Sequence, residues 1–410
     1  MTRPTSLPGR LRALLGPDIA GARQSLVALS LNSTTSLVAG AVLGAITGTF
    51  EEYPGLLVLV PAAIGLRGNI FGALGNRLST AIHSGTFGLS VRRDTVLGQN
   101  VLASLILTLG MSLVLAVVAK VAAVGLDVPG SIGVLDLVTI SVVGGVLASL
   151  VVLACTVGLT AGAVRYGWDL DNVAAPLVSV LGDVLTLPAL LLATVLVGID
   201  VVTPLLGSVL AVAAVVALVA GLRAPLGELR RIVAESLPIL VVAGCISAAA
   251  GIALEKSLAS FAAFPALLVL VPAHLSSAGA LGGILSGRLS TKLLLGLVAP
   301  DASPDRDARR DIGLTLLLGF PVYLLNGLGA AAVSQLTGVA SPGVATLVAI
   351  SLLAGMAAML VVVALAYYGT VVAVRTGLDP DTYGIPVVSS SVDFVGAVAL
   401  IVTIAALGVI

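Results

Sequence analysis

The reading of the fold turns on Tyr53–Thr80, YPGLLVLVPAAIGLRGNIFGALGNRLST, and on Phe264–Thr291, FPALLVLVPAHLSSAGALGGILSGRLST. Each stretch is apolar enough to enter a bilayer, yet each holds prolines, clustered glycines or serines, and a polar exit. Setting Pro61 on Pro272 gives an offset of 211 residues, at which Pro54 meets Pro265, LLVLVPA is identical, Gly68 meets Gly279 and RLST recurs. Near the end of each half, RYGWDLDNVAAPLVSVLGDVLTL (165–187) parallels RTGLDPDTYGIPVVSSSVDFVGA (375–397) at an offset of 210. That register matches Pro176 with Pro386, Ser179 with Ser389 and Asp183 with Asp393. The chain is an internal duplication, and one deletion accounts for the change of offset.

Composition says where the duplicated unit resides. Of 410 residues, 58% are hydrophobic and 10% charged, with a mean hydropathy of +1.18, whereas a soluble domain carries roughly 25% charged residues. The apolar blocks run to about 20 residues or more without the strict alternation of barrel strands. The expected class is therefore all-α, a polytopic membrane protein. The 47 glycines and 3% aromatics suit helices packed through small residues. A formal net charge of zero removes nucleic acid from the partner classes. Cys155 and Cys245 both fall in apolar runs, where a small buried thiol is the common case.

Apolar blocks at 25–49, 54–80, 97–123, 137–164, 173–198, 202–222, 236–254, 264–291, 312–336, 343–374 and 383–410 give about eleven transmembrane helices. Residues 1–24 read as a cytoplasmic tail, 25–198 as the first five-helix repeat, 199–235 as a connecting helix and cytoplasmic linker, and 236–410 as the second repeat. Five spans plus one connector return the chain to its starting side, so the two repeats are expected to run parallel, related by an axis along the membrane normal. With the N-terminus in the cytoplasm and the C-terminus outside, only Lys120 and Lys256 of the 20 basic residues lie outside, Arg67 sits within a span, and the others face the cytoplasm. This lopsided split supports both count and orientation.

Of the 20 acids, only Asp183 and Asp393 fall at lipid depth by this reading, each about 15 Å into its helix and near the middle of a core about 30 Å thick. A carboxylate there requires a partner, a cavity or an ion. Facing each other across the axis, the two would form a dianionic site that a divalent cation satisfies without protonation. Mg²⁺, which keeps several waters and takes one or two carboxylates, fits a sparse symmetric site. Ser179 and Ser389 share the helix faces of the two acids and are expected to hold the ion's water shell. Pro61 and Pro272 remove helix hydrogen bonds, and backbone freed at membrane depth must pack in protein or line water. Those segments, with Gly68, Asn69 and Ser276, are read as a second wall of an ion path. Asp171 and Asp381, and Glu51 and Glu52, are candidate inner and outer vestibules, with helix capping or plain solvation as the alternatives. Arg67 reads as an ion-pair or interface residue, and His83 and His274 as ordinary hydrogen-bonded histidines.

The segments VPAAIGLRGNIFGALGNRLST, DNVAAPLVSVLGD and DPDTYGIPVVSSSVDF resemble the membrane domain of MgtE-type magnesium transporters, duplicated as in the solute carrier family 41 branch. The resemblance covers essentially the chain after residue 25. It implies divalent cation transport, chiefly of Mg²⁺, through a pore between two five-span units, which two chains supply in the bacterial form and one chain would supply here. The family's pore aspartate falls on Asp183 and Asp393. SSAGALGG in the second repeat stands where the first has LRGNIFGA, so the path is expected to be asymmetric. The soluble regulatory domains of bacterial members are not expected within the 24 residues before the first span. The alternatives are a Na⁺- or H⁺-coupled exchanger using the same aspartate pair, and a structural membrane scaffold. No nucleophile with its base and no HExxH cluster points to an enzyme, and no cofactor is expected beyond Mg²⁺ as the transported substrate.

Overall fold

The computed structural model describes residues 19–125, 130–166, 170–294, 296–376 and 385–409, with the side chains of His83, Leu294, Ile385 and residues 19–20 and 170–179 left aside. Thirteen helices and no strand are found among the described residues. Eleven are long: α1 (Ile19–Ala45), α3 (Leu56–His83), α4 (Val96–Gly125), α5 (Val134–Tyr166), α6 (Leu170–Thr194), α7 (Val202–Leu222), α8 (Gly227–Lys256), α10 (Ala266–Leu294), α11 (Arg306–Thr337), α12 (Val344–Arg375) and α13 (Ile385–Ala406). Two six-residue helices, α2 (Thr47–Glu52) and α9 (Leu258–Ala263), precede the proline-bearing α3 and α10. Ten of the long helices contain stretches apolar and long enough to cross a membrane, and α6 holds a shorter apolar stretch, Val180–Thr194. The protein is an all-α polytopic membrane protein.

Two compact units divide the chain: Ala45–Ala259, and Met1–Gly44 with Ser260–Ile410. The first therefore holds α2–α8, and the second holds α1 with α10–α13. This grouping differs from the sequence repeats in one respect. The opening helix of each repeat, α1 or α8, falls in one unit with the last four long helices of the other repeat.

Within each unit the proline helix is central. In the first, α3 packs against α4, α5, α6 and α8; in the second, α10 packs against α11, α12 and α13 and receives α1 through Asn32–Ser276 and Ser33–Ser277 hydrogen bonds. The spans of α10 and α3 are 72% and 67% buried, against 17% for the connecting helix α7, so α7 presents its valines and leucines outward. Pro61 and Pro272 do not break their helices, which run unbroken through both. Both prolines are buried.

Small residues set the close approach of the exchanged helices. The missing Cβ of Gly251 on α8 would lie 2.3 Å from the carbonyl oxygen of Val58, and that of Gly40 on α1 would lie 2.0 Å from the carbonyl oxygen of Val269. Both pairs obey the offset of 211, so the same backbone contact is built twice. Another pair locates the deletion. Ser141 Oγ donates to Ser112 O and Ser351 Oγ donates to Tyr323 O, each at 2.7 Å; the acceptors are 211 apart and the donors 210. The residue was lost between the third and fourth spans of the repeat.

Candidate functional site

Asp183 stands near the middle of α6, 13 residues after Leu170 and 11 before Thr194, and is 6% exposed. Asp393 stands on α13 and is half-buried. Each acid has interactions within the protein. They belong to different compact units, and each has a proline helix as neighbour. In the first unit a Cβ on Gly182 would lie 3.5 Å from Arg67 Cβ and 3.9 Å from Gly68 N, which brings the backbone beside Asp183 onto the Gly68 turn of α3. In the second, a Cβ on Gly279 would lie 3.8 Å from Ser389 Oγ, and one on Gly282 would lie 3.7 Å from Val392 Cγ2. Inside each unit the acid-bearing helix thus packs against the proline helix.

The other candidates scatter. Asn69 and Gly68 are half-buried on α3. Ser276 is tied to Asn32 of α1, accepting from its Nδ2 at 3.0 Å and donating to its Oδ1 at 3.2 Å. Glu51 and Glu52 are exposed on α2. The side chains of Ser179 and Asp171, and the whole of Asp381, lie outside the described residues. Among the described residues no three acids, histidines or cysteines gather as a metal cluster.

The reading that only two acids are buried needs correction, because Glu255 and Asp311 are buried as well. Both stand next to the ends of apolar blocks, 236–254 and 312–336, yet they face protein. Glu255, in the last turn of α8, accepts from the backbone N–H of Gly55 at 2.7 Å and caps the entry of α3, whose N-terminal N–H groups favour a negative charge. Asp311, near the start of α11, pairs with Lys292 at 2.6 Å and Arg288 at 3.8 Å. Its counterpart in the first unit is Asn100, which accepts from Arg77 Nε at 2.7 Å. The arginine of each RLST motif therefore ties the end of its proline helix to the start of the next helix. The identical offset of Arg77–Arg288 and Asn100–Asp311 was the available signal.

Arg67 is 2% exposed. Its side chain turns back along α3 and donates to the carbonyl of Ala63, in space opened by Gly145 beside Ser112. Its Nε has no hydrogen-bond partner.

Comparison with known proteins fits this duplicated arrangement. The family described as MgtE, divalent cation transporter, matches residues 60–193 and 271–403, stretches that begin 211 residues apart and end 210 apart. The curated relatives include solute carrier family 41 member 2 of Xenopus laevis, 32% identical over 42% of this chain and 31% of its own length, and its Homo sapiens counterpart, 32% identical over 41% and 30%. Solute carrier family 41 member 3 of Rattus norvegicus is 28% identical over 41% of this chain and 37% of its own. The matches span about a third of each relative's length. No solved structure matches. With the family matching twice, over well more than half of the sequence and in the register of the internal repeat, the chain belongs to the MgtE family of divalent cation transporters.

Proposed function

We propose that this protein carries divalent cations, Mg²⁺ foremost, across the membrane, with Asp183 and Asp393 acting together on one hydrated ion. The observation that carries the reading is that each family match ends over a helix bearing a single mid-helix aspartate, Asp183 on α6 and Asp393 on α13. A lone carboxylate in an apolar span is costly, about 2.5–3.5 kcal/mol on insertion scales, and two such groups are better satisfied by one divalent ion than by two separate remedies. Mg²⁺ retains most of its water and asks for one or two carboxylates, which a pair of aspartates would supply. Asn69, Ser179 and Ser389 would then contact the water shell, and the backbone around Gly68 would form the adjoining wall. The N-terminus lies in the cytoplasm and the C-terminus outside, on the distribution of arginine and lysine.

Purified protein in liposomes loaded with a Mg²⁺-sensitive dye tests the proposal. Flux is expected from the native chain and is expected to fall to background with Asp183→Ala and Asp393→Ala combined. Native flux from the double variant would remove the site; competition by Mn²⁺ and Ca²⁺ in the same assay orders the substrates.

A further inference from the structure

The two units solve one packing problem with different chemistry. Gly145 on α5 and Gly355 on α12 correspond at the offset of 210, and each opens a space beside its proline helix. In the first unit Ser112 and the guanidinium of Arg67 occupy it, with Arg67 Nη2 3.2 Å from where a Cβ on Gly145 would stand. In the second, the ring of Tyr323 fills it, 2.3 Å from the corresponding position at Gly355. His274 packs on that ring, centroids 5.2 Å apart. Ala278 replaces Arg67 at the corresponding position of α10, so no fixed charge enters this space.

What enters instead is a set of buried polar groups with unmet hydrogen bonds. His274, Tyr323 and Asn326 are each 0% exposed. Neither nitrogen of His274, nor the Tyr323 hydroxyl, nor Asn326 Oδ1 has a partner. Asn326 Nδ2 donates to Ala273 O at 3.1 Å and Ser277 Oγ at 2.9 Å, which holds it one turn from the histidine. The backbone of Gly396 on α13 also approaches the imidazole without closing a bond of ordinary geometry. The corresponding residues of the first unit, Ala63 for His274, Leu66 for Ser277 and Leu115 for Asn326, are apolar. Four orphaned polar atoms on buried neighbouring residues are costly, and such groups mark bound water or a functional role.

We propose that His274 is a proton-binding site, which on protonation gives the second unit a buried cation in the place where Arg67 gives one permanently to the first. The acceptor inventory favours it. An imidazolium has two N–H donors; the Gly396 backbone approaches the ring, and the neighbouring Asn326 and Tyr323 carry oxygens without hydrogen-bond partners. The facing charges are few. α1 brings the uncharged Asn32, Ser33 and Ser36; α11 brings Tyr323, and Asp311 lies at its far end already paired with Lys292. Tyr367 and Arg375 stand toward the end of α12, tied to the carbonyls of Asp301 and Pro300, and α13 brings Asp393, one turn before Gly396. A proton on His274 and a cation at Asp393 are like charges in one unit, so each disfavours the other, reciprocally. This consequence rests on the transport reading above; the proton site itself does not.

The chain has two histidines, which makes the test direct. Protein labelled with ¹⁵N-histidine and carrying His83→Gln, in lipid nanodiscs, reports His274 alone. Its ring nitrogens are expected to pass once from the neutral to the charged pattern as the pH is lowered from about 8 to about 3, with Mg²⁺ moving the midpoint to lower pH. A ring that stays neutral throughout overturns the proposal, whatever the flux. In liposomes, Mg²⁺ flux is expected to fall about fivefold or more on acidification, a response lost in His274→Gln and kept in His83→Gln. An unchanged pH profile in a transporting His274→Gln variant also overturns it. Titration without any cation flux would instead retain the proton site and sink the transport reading.

Discussion

Consider a single methyl group added where each exchanged helix meets its proline helix. In Gly40→Ala the new Cβ would stand 2.0 Å from Val269 O, and in Gly251→Ala 2.3 Å from Val58 O, where real Cβ contacts essentially never fall below 3.0 Å. The obstacles are main-chain atoms inside α10 and α3, so no rotamer change relieves them. The helices must part locally by about 1.0 Å in one unit and about 0.7 Å in the other, which loosens neighbouring contacts of the most buried layer. Overpacking of this kind costs about 1–3 kcal/mol, and a backbone-to-backbone clash belongs at the upper end. Gly287→Ala on α10 is the control, because nothing lies within 4 Å of its added Cβ; there alanine's better helix propensity stabilises by up to about 1 kcal/mol. Unfolding of the detergent-purified protein in increasing SDS, followed by far-ultraviolet circular dichroism, separates the signs. If both contact variants unfold no earlier than the native chain, the inferred backbone contact of α1 with α10 and of α8 with α3 is refuted.

Three further outcomes follow from the buried polar ties. Glu255→Ala removes the acceptor of Gly55 N–H and is expected to cost about 0.5–2 kcal/mol, as other helix caps do, while Glu255→Gln keeps an acceptor and most of the stability; the same SDS titration distinguishes them. Asp311→Leu leaves Lys292 and Arg288 without their carboxylate. Loss of one partner of a fully buried pair costs about 3–5 kcal/mol, and because Lys292 is 31% exposed and its stem can carry the ammonium to water, a loss at or below the bottom of that range is expected in chemical unfolding. Arg77→Ala removes the bond to Asn100, a charge-assisted contact of about 1.5–3 kcal/mol, and a double-mutant cycle with Asn100→Ala should show coupling where two independent sites would show none.

The helix count and the duplication were legible because lipid imposes long apolar runs and because two copies of one motif can be aligned without knowing the fold. Burial at span ends was not. Glu255 and Asp311 sit where hydropathy assigns an aqueous boundary, and only tertiary packing shows that Gly55 and Lys292 meet them there. The exchange of α1 and α8 between repeats was equally hidden, since Gly40 and Gly251 look like any other glycine of a glycine-rich chain until each is placed on the carbonyl of Val269 or Val58. His274 reads in sequence as an ordinary satisfied histidine; the structure leaves both its nitrogens without partners, which hydropathy and spacing could not convey. Asp183 was legible for the opposite reason, because a carboxylate in the middle of an apolar helix is conspicuous before any packing is known.

The central claim is that Asp183 and Asp393 serve one ion. A double-mutant cycle on Mg²⁺ flux, with Asp183→Asn, Asp393→Asn and the two combined, tests it most directly. Two carboxylates acting on one cation predict that each single variant loses most of the flux and that the double variant loses little more, as for groups that work as a unit. Losses that multiply as independent factors, or single variants that transport like the native chain, would contradict the account.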